Sequence, residues 1–126
     1  MSYLKFTLCV VILLVSLLPA IRGMDAVQLE PLVNKEVRVG RVAAFLCTLY
    51  QGDKVQFTWS KDGTLLRSSG RIQIHSTAAS SMITIQRVDP YDAGNYTCIG
   101  SNSLSEERTS AHLIVEGIFH FKPIFG

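Results

Sequence analysis

Cys47, Trp59 and the run Asp92-Ala93-Gly94-Asn95-Tyr96-Thr97-Cys98 decide how this chain folds. The second of these cysteines stands 51 positions after the first, the tryptophan 12 after the first, and the tyrosine two before the second. Around them, short alternations of apolar and polar residues are cut by turn residues, and no long stretch follows the 3.6-residue period of a helix. The chain therefore reads as strands joined by turns, with four residues at fixed offsets inside them.

This spacing resembles the immunoglobulin-type sandwich, in which two cysteines bridge the sheets, an indole packs on the bridge and a tyrosine forms a corner. The resemblance implies an all-β, Greek-key sandwich with Cys47 joined to Cys98, Trp59 beside that bridge and Tyr96 at the corner. In domains of this pattern the corner aspartate meets an arginine that opens an earlier strand. Here that pairs Asp92 with Arg71, a bidentate contact with a structural role and no chemistry. The stretch between Trp59 and Arg71 is too short for the extra strand of a variable-type domain, so the intermediate set (I-set) is the better match.

Length and the two ends bound the rest. The 126 residues hold one domain, expected over residues 24–116. Residues 1–23 have the layout of a secretory signal peptide: a mildly basic opening to Lys5, an apolar run from Phe6 to Leu18, then Pro19-Ala20-Ile21-Arg22-Gly23. The apolar run falls short of the roughly 20 residues that a bilayer span needs. Cleavage after Ala20 and after Gly23 fit equally well, and a retained signal anchor is the alternative.

Removal of this segment takes Lys5 and Arg22, so 12 basic residues become ten against 10 acidic ones. The mature charge is near zero and gives no reason to expect nucleic acid or an acidic membrane as partner. Cys9 leaves as well, and the remaining even pair in a secreted chain reads as one disulfide. A loop of this length is worth about 4 kcal/mol by chain-entropy reasoning. Residues 117–126 are apolar apart from Lys122 and His120 and lie past the natural end of the sandwich. They are expected to be the start of a following domain or the product of a truncated gene model.

Between the ends, the opening strands are expected over 27–39, with Pro31 tolerated on an edge. A second strand over 41–49 turns Ala43, Phe45, Cys47 and Leu49 inward, and a third over 54–60 does the same with Val55, Phe57 and Trp59. Lys61-Asp62-Gly63 is a hairpin signal leading to a short strand at 64–66. Strands follow at 71–75 and 81–86, with Ile83, Ile85 and Val88 in the core, then a corner over 89–94. The last two strands are expected over 96–100 and 109–116, joined by a turn over 101–107.

Catalysis finds no support. His75, His112 and His120 are isolated, and no metal-ligand spacing, nucleophile elbow or phosphate-binding glycine loop occurs. No cofactor is expected. Asn95-Tyr96-Thr97 is an N-glycosylation triplet, either occupied on the face that carries strands C, F and G in the family's lettering or closed off by folding before transfer. On the opposite A–B–E–D face, Val42, Ala44, Leu46, Met82 and Thr84 are expected to point outward, with Arg71, Gln73 and His75 as a polar rim. Outward positions on a solvated sheet should be polar, yet three of these are consecutive aliphatic positions of one strand. A contact patch, or burial beneath the first strand or a next domain, would each account for them.

More narrowly, Trp59-Ser-Lys-Asp-Gly-Thr-Leu-Leu66 and Ala93-Gly-Asn-Tyr-Thr-Cys-Ile-Gly-Ser-Asn102 resemble domains of the Down syndrome cell adhesion molecule (Dscam) family, the arthropod members most of all. The resemblance runs from about Val27 to Val115. It implies like-to-like adhesion between cells through N-terminal domains. A signal peptide followed at once by one such domain resembles the shortened Dscam-type proteins of chelicerates, whose first domain is the variable recognition unit. The chain departs from the family in having no further immunoglobulin or fibronectin-type domains, membrane helix or cytoplasmic tail. An extracellular domain that binds a second copy of itself is therefore the leading expectation, on the cell surface if a downstream span exists. A soluble immune or signalling factor that binds another ligand is the alternative.

Overall fold

The computed structural model describes residues 26–117. The signal peptide expected over 1–23 and all of the apolar tail except Gly117 lie outside the described residues. Nine strands form two sheets: β1 (Gln28–Leu29), β2 (Lys35–Arg38), β3 (Ala43–Gln51), β4 (Gln56–Lys61), β5 (Thr64–Leu66), β6 (Ile72–Ser76), β7 (Ser80–Ile85), β8 (Gly94–Ser101) and β9 (Glu106–Glu116). One sheet runs β1-β3-β7-β6 and the other β2-β9-β8-β4-β5. All pairings are antiparallel except β2 on β9. The family's A–B–E–D face is thus the outer side of β1-β3-β7-β6, and its C–F–G face the outer side of the other sheet.

Period-two patterning selects the sides. On β3 the buried residues are Ala43, Phe45 and Cys47, on β7 Ser81, Ile83 and Ile85, and on β8 Tyr96, Cys98 and Gly100. One face of each sheet meets the other, which is how a two-layer sandwich makes a single core. The core takes in Val27, Leu29, Phe45, Trp59, Ile83, Ile85, Val88, Tyr96 and Leu113. Leu49 and Phe57, expected inside, are half-buried at its margin. Gly100 is part of the fit: a methyl group there would stand 3.1 Å from Leu29 Cδ2 and 3.2 Å from Val27 Cγ1. The absence of a side chain there lets Val27 and Leu29 pack closely over β8 without displacement.

The opening segment differs from its expected form. It is two short strands in different sheets, and Pro31 falls in the crossover between them rather than in an edge strand. Side chains of β9 and of the turn before it satisfy three of its backbone donors. Val27 N donates to Ser105 Oγ at 2.7 Å, Leu29 N to Glu107 Oε1 at 2.9 Å and Leu32 N to Thr109 Oγ1 at 2.9 Å. The expected strands over 71–75 and 81–86 sit one residue off at each end, as Ile72–Ser76 and Ser80–Ile85. The last two strands extend further than expected, which narrows the turn between them to 102–105. That turn is closed by Asn102 Oδ1, which accepts from Leu104 N and Ser105 N at 2.9 Å each.

Candidate recognition face

The corner is built first by sequence and then by charge. Asp89 caps a single 3-10 turn, Pro90–Asp92, by accepting from Tyr91 N, and Asp92 Oδ2 returns the favour to Asp89 N at 2.8 Å. Asp92 then accepts a fork from Arg71: Nη1 to Oδ2 at 2.8 Å and Nη2 to Oδ1 at 3.0 Å. Arg71 Nη1 also donates to the carbonyls of Gln86 and Arg87 at 2.9 and 3.0 Å. Burial alone would push the Asp92 carboxyl up. The Arg71 hydrogen bond, the Asp89 amide and the charge of Arg71 outweigh it and hold the group below the ordinary carboxylate range. The Tyr96 hydroxyl donates to the Asp92 carbonyl at 2.6 Å, and its ring stacks on Phe45 with centroids 5.3 Å apart. Burial, then the nearby Asp92, pushes the Tyr96 hydroxyl up, so it stays protonated and remains a donor.

These contacts close the sandwich at one end and leave no group poised for chemistry. Arg71 lies before β6 and is half-buried in this corner, so it is not part of the polar rim expected beside β7. The disulfide Cys47–Cys98 joins β3 to β8 with both residues fully buried. Trp59 is the cross-strand neighbour of Cys98. Among the described residues, no three His, Cys, Asp or Glu side chains gather as a metal site would require, and no helix is long and apolar enough to cross a membrane.

The outer side of β1-β3-β7-β6 is the unusual surface. Its cross-strand rows are Leu46–Met82–His75 and Ala44–Thr84–Gln73. Val42 and Leu46 are 58% and 57% exposed and Met82 40%; His75 and Gln73 are exposed, and Ala44 and Thr84 half-buried. The first strand does not cover them. It pairs with β3 only at Gln51 and Leu49, so burial beneath that strand is excluded as the reason for the aliphatic run. Neither row carries a carboxylate, an ammonium or a guanidinium.

The structure adds residues that alternation could not supply. The crossover places Pro31, Leu32 and Val33 beside Leu46 and Phe45, with Lys35 at the edge, around a crevice of about 170 Å³. Val33 is 69% exposed, and it extends the apolar patch past the sheet itself. Pro31 was a possible clue, since a proline between two strand signals breaks the ladder and lifts the chain off it.

Two facing sheets, a buried inter-sheet disulfide, a tryptophan beside it and a tyrosine-closed corner define an immunoglobulin-type sandwich. The model of the Immunoglobulin I-set domain matches residues 27–115, and the chain belongs to that family. It is a non-enzymatic family. Over 74 residues the chain is 35% identical to the Transmembrane and immunoglobulin domain-containing protein 1 of Mus musculus, covering 58% of this chain and 28% of that protein. Over 95 residues it is 32% identical to the Cell adhesion molecule DSCAML1 of Mus musculus, covering 71% of this chain and 5% of that one. The chain thus spans well under a third of either relative. The solved M1 domain from titin superposes with a TM-score of 0.70 at 21% identity over 75% of this chain and 98% of that domain, a likeness of fold alone.

Proposed function

We propose that this domain is an extracellular recognition module of a cell adhesion molecule, and that it binds a second copy of itself through the outer side of β1-β3-β7-β6. The observation that carries the reading is an exposed and largely aliphatic face, centred on Leu46 and Met82, where a solvated sheet would carry polar residues. Val42, Ala44 and Val33 complete its apolar centre, and Thr84, Gln73 and His75 form the polar margin that sets specificity. A surface with no carboxylate, ammonium or guanidinium in its central rows can meet its own copy about a two-fold axis without opposing such groups of like charge. The likeness to DSCAML1, which its name describes as a cell adhesion molecule, supports the adhesive role.

Sedimentation of the domain over residues 25–116, across a concentration series, tests the proposal. Reversible dimerisation that is lost when the patch is charged is the expected result. A strict monomer at high micromolar concentration would overturn self-recognition by this domain and favour a different protein ligand.

A further inference from the structure

The chain contains one Asn-X-Ser/Thr triplet, Asn95-Tyr96-Thr97, and the fold puts it in β8, the middle strand of a five-stranded sheet. Tyr96 and Cys98 are buried, so Asn95 and Thr97 turn to the opposite, outer side. The backbone of Asn95 is fully engaged: its N donates to Asp62 Oδ1 at 2.9 Å, and its O accepts from Asp62 N at 2.9 Å. Across the sheet it faces His112, whose own N is turned away to Asn34 Oδ1 at 2.8 Å. Asn95 and His112 therefore form the non-hydrogen-bonded kind of cross-strand pair, in which side chains sit close together. Thr97 faces Ser110, with their hydroxyl oxygens 2.7 Å apart.

Two consequences pull in different directions. The outward side of β8 can carry a sugar, because a group attached to Asn95 leads away from the core. The folded triplet, however, cannot serve as an acceptor. Transfer needs the Asn amide and the Thr hydroxyl together in one enzyme's active site, on a segment free to leave its neighbours. Here the segment is extended and paired on both sides, and the Thr97 hydroxyl already has a partner. The buried Cys47–Cys98 disulfide belongs to an oxidising compartment, the same setting in which such transfer takes place.

We propose that Asn95 carries an N-linked oligosaccharide that is attached before β8 is drawn into its sheet. In that step Asn95 Nδ2 bonds to C1 of an oligosaccharide carried on a lipid diphosphate. The C1–O bond to the diphosphate breaks, Nδ2 gives up one of its two protons, and the lipid diphosphate departs. Once β4 and β9 have closed on either side, the residue is no longer an acceptor. The attached chain then stands over His112 and Ser110 and crowds the outer side of β9-β8-β4. This inference does not depend on self-association, but it leaves the opposite sheet as the open one.

The test has two arms, both on the full chain. Secreted from a glycosylating eukaryotic cell, it should lose mass on treatment with an amidase specific for N-linked sugars, and Asn95→Gln should abolish that loss. Made without sugar in bacteria, the chain is then offered to an oligosaccharyltransferase with lipid-linked oligosaccharide, once native and oxidised and once reduced and unfolded. The unfolded form should be modified and the native form should not. An unmodified secreted chain would overturn the occupancy, and equal modification of the native and unfolded forms would overturn the timing.

Discussion

The Trp59 indole donates a 2.9 Å hydrogen bond to the Ser81 hydroxyl, joining β4 of one sheet to β7 of the other inside the buried core. The link stands beside the disulfide. Ser81 is the cross-strand neighbour of Cys47, and Trp59 the neighbour of Cys98, so a covalent and a polar bridge cross the sandwich at the same level. Ser81 Oγ also lies 2.7 Å from Ser76 Oγ, which fixes its rotamer. Ser81→Ala leaves the indole N–H buried without a partner and is expected to cost about 1–3 kcal/mol. Urea unfolding followed by Trp59 fluorescence checks it. A loss under about 0.5 kcal/mol, the range of neutral surface changes, would mean the indole finds another acceptor.

Removal of the neighbouring covalent bridge acts mainly on the unfolded chain. The disulfide closes a loop across a sequence separation of 51 residues, and chain-entropy reasoning gives about 4 kcal/mol for a loop of that size. The Cys47→Ala, Cys98→Ala double variant is expected to lower the unfolding free energy by that amount, a large share of the ~5–15 kcal/mol a domain usually has. Calorimetry with and without reductant provides an independent reading on the unmodified chain.

Arg71 and Asp92 make stability depend on acid. The native Asp92 pKa is lowered, and its unfolded value is near ~3.9. A depressed native value contributes stability that is fully present above the unfolded pKa and is lost as pH falls through the native one. Asp92→Asn is therefore expected to lower the urea midpoint at neutral pH, since its amide N–H₂ would face the Arg71 guanidinium. The gap between variant and wild type should narrow as pH drops below ~4. A gap that stays constant with pH would show that the carboxylate charge is not what matters at this corner.

One acidic side chain adds to the β3 pairing that holds the first strand. Leu29 N donates to Glu107 Oε1, while Leu29 and Val27 side chains pack over Gly100. Glu107→Ala should leave the global unfolding free energy lowered by only about 1 kcal/mol. It should speed amide exchange at Leu29 far more than at Phe45 or Cys98, because the segment opens locally. Equal acceleration everywhere would mean that this strand does not open on its own.

The central strands were legible because their information is local. Alternation around Cys47, Trp59 and Tyr96 identified the inward side of β3, β4 and β8, and turn residues bounded the hairpin at Asp62-Gly63. The corner pair Arg71–Asp92 followed from resemblance to domains of this pattern, and the structure brings the two together. Contacts without periodicity were not legible. The backbone donors of Val27, Leu29 and Leu32 reach side chains 77 and 78 positions away, and no local pattern encodes such a separation. Ser81 reads as an ordinary small residue in a strand until the opposite sheet supplies Trp59. Val33 joins the exposed patch only through a crossover whose course depends on the same distant contacts.

Leu46 provides the sharpest test of the recognition face. It is 57% exposed, lies opposite Met82, and borders the crevice formed with Pro31 and Val33. Leu46 lies outside the buried core, so substitution by aspartate should cost the fold only about 1 kcal/mol through strand preference and partial contacts. In a two-fold contact the same change is made on both copies, so each dimer would bury two carboxylates near an apolar centre with no ammonium or guanidinium in either row. Burial of an unpaired charge is costly enough to defeat a weak association outright. Leu46→Asp is therefore expected to give a folded monomer at concentrations where the unmodified domain dimerises. Met82→Asp should do the same, while Ile114→Asp, an exposed residue on β9 in the other sheet, should leave dimerisation intact. Sedimentation equilibrium on the three variants separates the two sheets. Dimerisation that survives Leu46→Asp but fails with Ile114→Asp would move the contact to the β9 side.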